Sequence, residues 1–315
     1  MSLLASIDVG SNTIRLLIGK IENKKIVRQR CEMAITRLAS GINETGLLND
    51  KNMKRSVSAL KEFARLISEY KVTHVKAVGT SALREAKNSE EFVKRVLSET
   101  GIKIDVILGH EEAGLTATGV LFDAPKADSS FIIDLGGGSA EWVLCKNSSP
   151  VELGTIPTGV VKLFENNIKS DPPSSGEMAL LKKEVDIVLK GLKARIGNSI
   201  AVNTLFIGTA GAVTTLAAID LELEKYNHEK VHRHKISLKR LYEISEKLLS
   251  LPLSERRKIR GLEPERADLI IPGIVFTIKI MELFGFKGML VSDNGLLEGA
   301  LISLSAGDSQ GGDKH

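Results

Sequence analysis

The chain is poor in cysteine and in aromatic side chains: two cysteines, and 4% Phe, Trp and Tyr among 315 residues. Cys31 and Cys145 have neither metal-ligand spacing nor the company a disulfide framework needs, and the chain opens without a charged, apolar, small-residue leader. A reducing cytoplasm is the expected compartment. So few aromatics leave scant platforms for stacked bases, and a net charge of +4 is far from the dense basic footprint of a nucleic-acid binder. Nucleic acid is therefore excluded as a partner, while a local anionic ligand is not. There is no Gly-x-Ser-x-Gly elbow, no signature of an activated cysteine and no Walker A lysine loop, which leaves serine, cysteine and P-loop chemistries without their parts. The long uncharged run 196–219 contains Asn198, Ser199, Asn203, Thr204, Gly208, Thr209 and Gly211. That is too polar for a bilayer span, and no membrane partner is expected.

What is present is a core-forming composition, 43% apolar and 26% charged, on a chain longer than one core usually organises. Two domains are expected, 1–124 and 125–306, with the last helix 295–306 free to pack on the first and a disordered Gly/Asp/Ser-rich tail at 307–315. Alternation predicts strands at 3–7, 14–18 and 31–38, a helix from 49 or 50, and a strand at 75–79. A helix at 89–99 follows, where Asn88 and Glu91 have capping-box spacing, then a strand at 104–108 and a helix from 110. After a linker at 123–129 the grammar restarts: strands at 131–135, 141–144 and 151–156, and a long helix at 174–196. A strand at 205–207, a helix at 210–221, helices from 237 and about 265, a strand at 289–291 and a final helix from 295 complete it. The order reads as an α/β protein whose second half repeats the first with insertions.

The repeat is explicit in Ile7-Asp-Val-Gly-Ser-Asn12 and Ile133-Asp-Leu-Gly-Gly-Gly-Ser139. Each places an acid at a strand's end and glycines in the turn, and two such copies predict a cleft that holds a phosphate chain on backbone N–H groups. Gly10, Ser11 and Asn12 form one phosphate loop, and Gly136, Gly137, Gly138 and Ser139 the other. Alternation puts Ser139 and Glu141 on the face of Asp134. Carboxylates facing a polyanion repel it unless a cation is bound, so Asp8 and Asp134 are candidate ligands of Mg²⁺. Glu111 and Glu112 open a helix, and one of them is placed to take a proton from water. Arg84 is suited to fork onto phosphate. Arg15, within an apolar strand, requires an anionic partner or an anionic ligand. Thr209 and Gly211 of Gly208-Thr-Ala-Gly211 add a third candidate loop, and His228 and His232 have i, i+4 spacing without an evident third ligand for zinc.

These motifs resemble those of the exopolyphosphatase and guanosine pentaphosphate phosphohydrolase family, within the sugar kinase, Hsp70 and actin superfamily. The resemblance runs through Asp8-Val-Gly-Ser-Asn12, Gly79-Thr-Ser-Ala-Leu-Arg84, Glu111-Glu112-Ala113, Asp134-Leu-Gly-Gly-Gly-Ser139-Ala-Glu141, Gly208-Thr-Ala-Gly211, Ser292-Asp-Asn-Gly295 and Glu298-Gly299. It implies two ribonuclease-H-like domains around a cleft and Mg²⁺-assisted release of terminal phosphate, with Mn²⁺ as a possible substitute. Glu112 then resembles the general base, Asp134 and Glu141 the metal-binding or water-orienting acids beside Asp8, and the two glycine loops with Arg84 the phosphate contacts. The implied partners are polyphosphate or guanosine penta- or tetraphosphate; the sequence does not set the oligomeric state, for which a homodimer is the commonest closed assembly. The chain is similar to the short members, without the added helical region of longer ones, so poorer processivity is expected. Gly114 and Leu297 stand where many relatives have arginine, and Ala140 and Ala212 where threonine is common. A non-catalytic nucleotide sensor and an ATP-dependent kinase are the alternatives on the same fold.

Overall fold

The computed structural model describes residues 2–310. Its described residues divide into two compact units, one of 2–123 with 294–310 and one of 124–293. The first unit holds β1 (Leu4–Val9), β2 (Thr13–Glu22), β3 (Lys25–Ile35), α1 (Ile42–Thr45), α2 (Asp50–Glu69), β4 (His74–Gly79), α3 (Ser81–Glu85), α4 (Ser89–Thr100), β5 (Ile104–Val106) and α5 (Gly109–Leu121). The second holds β6 (Ser129–Leu135), β7 (Ala140–Lys146), β8 (Ser149–Ile156), α6 (Val160–Asn167), α7 (Ser175–Ile196), β9 (Leu205–Thr209), α8 (Ala210–Asp220), α9 (His228–Val231), β10 (Lys235–Ser237), α10 (Leu238–Ser250), α11 (Leu253–Arg256), α12 (Ile270–Phe284) and β11 (Gly288–Val291). The final helix, α13 (Leu296–Gln310), returns to the first unit.

The first sheet has the order β3-β2-β1-β4-β5, an antiparallel meander followed by two parallel strands. The second repeats it as β8-β7-β6-β9-β11, with β10 added at the far edge. This is the ribonuclease-H-like order, present twice. β1 is buried along its whole length because both of its faces are covered, which is why it reads as an unbroken apolar run. Ala5, Ile7 and Val9 belong to the core that also takes Met53, Val57, Leu60 and Phe63 of α2, residues at the three- and four-residue spacing of one helix face. Leu4 and Leu17 meet Leu297 and Leu301 of α13 on the other side. In the second unit, one large core joins the sheet to α7, α8, α10 and α12.

Helix α13 crosses α5 through glycines. A Cβ on Gly299 would lie 1.8 Å from the Leu115 carbonyl oxygen, and one on Gly119 would lie 2.0 Å from that of Gly295. Because both obstacles are backbone, neither side can yield cheaply. Gly299→Ala is expected to cost roughly 1–3 kcal/mol or more, the range of overpacked cores, as a lower midpoint in urea unfolding.

Several sequence expectations change in the structure. Asn88 and Glu91 form no capping box: the Asn88 side chain instead accepts from Leu48 N at 2.8 Å and donates to Leu48 O at 3.0 Å, exchanging a local cap for a tie to the loop before α2. The helix expected from about 265 begins at Ile270, since Pro264–Arg266 is a separate 3-10 turn. Helix α6 and strand β10 lie in stretches for which no element was expected; α6 packs on α7 and α12, and β10 spans three residues. Residues 307–310 of the expected tail continue α13, and 311–315 lie outside the described residues. The run 196–219 breaks into a 3-10 turn, β9 and α8. Among the described residues no helix is long and apolar enough to cross a membrane.

Candidate functional site

Each unit carries the same hairpin. In the first, Gly10 N donates to Thr13 O at 3.0 Å to close the turn, and the register places Asp8 directly opposite Arg15. In the second, the turn at 136–139 brings Asp134 directly opposite Glu141. The acid and its cross-strand partner are seven residues apart in both. A Cβ would lie 2.9 Å from Ser139 O at Gly136, which favours glycine there, and would be tight at Gly10, 3.0 Å from Thr13 O.

The identical scaffolds differ in charge. In the first, Arg15 donates from Nε (3.2 Å) and Nη2 (2.8 Å) to Asp8 Oδ2, which supplies the anionic partner that a strand-borne arginine requires. In the second, two buried carboxylates face one another, Asp134 at 8% and Glu141 at 1% exposure. Like charges directly opposite on a sheet are destabilising. The registers extend this pair into a polar row across four strands: Thr209, Asp134, Glu141 and Thr155. Thr209 and Ser139 are themselves buried, and Ser139 ends the glycine turn.

Glu112 lies in the first turn of α5 at 7% exposure. Its Oε2 accepts from Arg84 Nη1 at 2.6 Å, and the same nitrogen donates to Ile107 O at 3.0 Å. Arg84 is fixed by α3, a five-residue helix directly after β4. Glu111 is spent differently: its Oε2 accepts from Leu108 N at 2.7 Å and caps the helix. Of the two glutamates, then, Glu112 is the buried one held beside a guanidinium.

Arg266 was absent from the candidates. Its guanidinium lies against Gly211, where a Cβ would meet Nη1 at 2.0 Å, and its Nε is 2.6 Å from Glu263 Oε2. That places a cation at the start of α8, beside Gly211. The only signal in the sequence is the turn-forming Pro264 just ahead of it. His228 Nδ1 lies 2.5 Å from Asp293 Oδ2, and its ring stacks on His232 with centroids 5.4 Å apart. Tyr226 donates to Asp293 Oδ1 at 2.6 Å; burial of its hydroxyl end and the Asp293 charge push the phenol's pKa upward. Among the described residues no group of three or more His, Cys, Asp and Glu is gathered for a metal ion. The hard-oxygen pair Asp134 and Glu141 suits an ion that takes one or two carboxylates and fills its shell with water and phosphate oxygens. Asp8, already engaged by Arg15, suits it less.

Duplicated glycine bends at sheet ends, each following a strand that ends in an acid, define an α/β protein of two repeated ribonuclease-H-like units. The model of the Ppx/GppA phosphatase family matches residues 18–306, and the chain belongs to that family. Exopolyphosphatase 2 of Mycobacterium tuberculosis is 28% identical over 96% of this chain and 98% of its own length. The bifunctional 3-dehydroquinate synthase/phosphatase of Fusobacterium nucleatum is 31% identical over 95% of this chain, which spans only 46% of that larger protein. The crystal structure of the Aquifex aeolicus member of the Ppx/GppA family shares 33% identity and a TM-score of 0.80, covering 98% of both chains.

Proposed function

We propose that the protein hydrolyses phosphoanhydride bonds, releasing terminal phosphate from inorganic polyphosphate or guanosine pentaphosphate with Mg²⁺, or Mn²⁺ in its place, held at Asp134 and Glu141. The observation that carries this reading is the cross-strand pair itself, two buried carboxylates where the sister hairpin holds an ion pair. A divalent cation held between them would neutralise charge developing on the transferred phosphoryl group. Glu112 takes a proton from water as the water oxygen bonds to the terminal phosphorus; the bridging P–O bond breaks and the remaining chain leaves one phosphate shorter. In the first unit Arg84, fixed by Glu112 and Ile107 O, serves phosphate oxygens with Arg15 and the N–H groups of the bend at 10–12; in the second, the N–H groups of the bend at 136–139 do so with Thr209 and Gly211.

Phosphate release from both substrates, measured with Mg²⁺, with Mn²⁺ and after chelation, tests this directly. Release with either metal and its loss on chelation are expected; equal release without metal would remove the cation from the reading. Tight binding of either substrate with no release under metal would replace the hydrolase with a sensor.

A further inference from the structure

We propose that two segments outside the motifs, 36–39 in the first unit and 159–161 in the second, are positioning straps that turn the N–H groups of the glycine bends toward phosphate. The inference rests on the hydrolase reading above for the identity of the ligand. In the first unit Thr36 N and Arg37 N both donate to Asn12 O, at 3.0 and 2.9 Å, and Ala39 N donates to Ser11 O at 2.9 Å. In the second, Val160 N donates to Gly136 O at 3.0 Å and Val161 N to Gly137 O at 2.8 Å.

The consequence follows from the planar trans peptide, in which a carbonyl and the next residue's N–H point in opposite directions. Pinning Ser11 O and Asn12 O from one side turns the N–H groups of Asn12 and Thr13 to the other. Pinning Gly136 O and Gly137 O does the same for Gly137 and Gly138. Helix α6 would ordinarily offer its own first N–H groups to an anion; here they are spent on the bend, so the helix acts on the ligand through the turn it orients.

Both straps carry a mark of constraint. Arg37 has φ +53°, a left-handed conformation uncommon for a side chain of its kind, and its carbonyl accepts from Asn52 Nδ2 at 2.7 Å. A Cβ on Gly159 would lie 2.5 Å from both the carbonyl carbon and oxygen of Gly137. One unit uses a loop and the other a helix start, yet each pins successive carbonyls of the bend. What they share is the direction in which the N–H groups are left.

The test measures KM for polyphosphate, kcat, and the inhibition constant of inorganic phosphate. Gly159→Ala is expected to raise KM and the phosphate constant about tenfold, the scale of a misplaced hydrogen bond to a charged group, with a smaller change in kcat. Gly154→Ala introduces a clash elsewhere in the same unit, 2.8 Å from Trp142 Cζ2, and is expected to lower the melting temperature while leaving KM near the parent value. Arg37→Val, whose branched side chain resists positive φ, is expected to raise KM, and Arg37→Gly to recover most of that loss. Unchanged constants in Gly159→Ala, an equal rise in Gly154→Ala, or Arg37→Gly no better than Arg37→Val would overturn the inference; the Arg37 pair decides it if Gly159→Ala does not fold. If the parent protein releases no phosphate, the hydrolase reading fails by itself, and the same comparison is made on calorimetric binding of inorganic phosphate.

Discussion

Glu112→Gln is expected to lower kcat by about 10²–10⁴, the usual worth of a general base, while KM changes little. The substitution is close to isosteric, and a glutamine oxygen still accepts from Arg84, so the contact at 2.6 Å that fixes both side chains survives. What disappears is basicity. An unaltered thermal midpoint alongside the fall in kcat would assign the loss to chemistry. A rate within a few-fold of the parent would remove Glu112 as the base and return attention to the acids of the second unit. Glu111→Gln provides the contrast, because Glu111 caps its own helix through Leu108 N and is expected to affect stability by no more than about 1 kcal/mol.

The second large effect separates the metal-free protein from the metal-bound one. In the metal-free protein Asp134 and Glu141 oppose one another in register, so neutralising either in Asp134→Asn or Glu141→Gln lowers the like-charge repulsion between them and is expected to leave the metal-free melting temperature within a few degrees of the parent. With Mg²⁺ parent and variants diverge. The parent gains stability from the bound ion by mass action, and the variants are expected to lose that gain together with at least about a hundredfold in kcat/KM, since metal stabilisation of the transition state is worth several kcal/mol. Thermal melts with and without metal, run beside phosphate-release assays, read both effects. A variant that melts lower without metal and still responds fully to Mg²⁺ would place the cation elsewhere.

The hairpins were legible because they are local. A strand ending in an acid, a bend that favours glycine, and an alternating return strand are enough to place Glu141 on the side of Asp134, and the register confirms that they are direct partners. The cost of an unpaired charge within an apolar strand called for an anion near Arg15, which Asp8 supplies. The expected capping box at Asn88 failed because a side chain with correct local spacing was claimed by Leu48 of a distant loop. Arg84 and Glu112 were each candidates, yet their contact depends on how β4, α3 and α5 meet. Arg266 went unnoticed because nothing in Pro264-Glu-Arg266 announces that it lies against Gly211.

By itself the amino-acid order determined the repeated strand–bend–strand unit, the apolar strands of a covered sheet and the candidate acids, all of which arise from periodicity and backbone freedom over a few residues. Tertiary structure alone decided what each of these groups faces. It gave Asp8 an arginine, Asp134 a second carboxylate, Glu111 a helix cap and Glu112 a guanidinium, and it brought α13 back to the first unit. The physical reason is that charge pairing and strap contacts depend on distances between elements far apart along the chain, which no local spacing encodes.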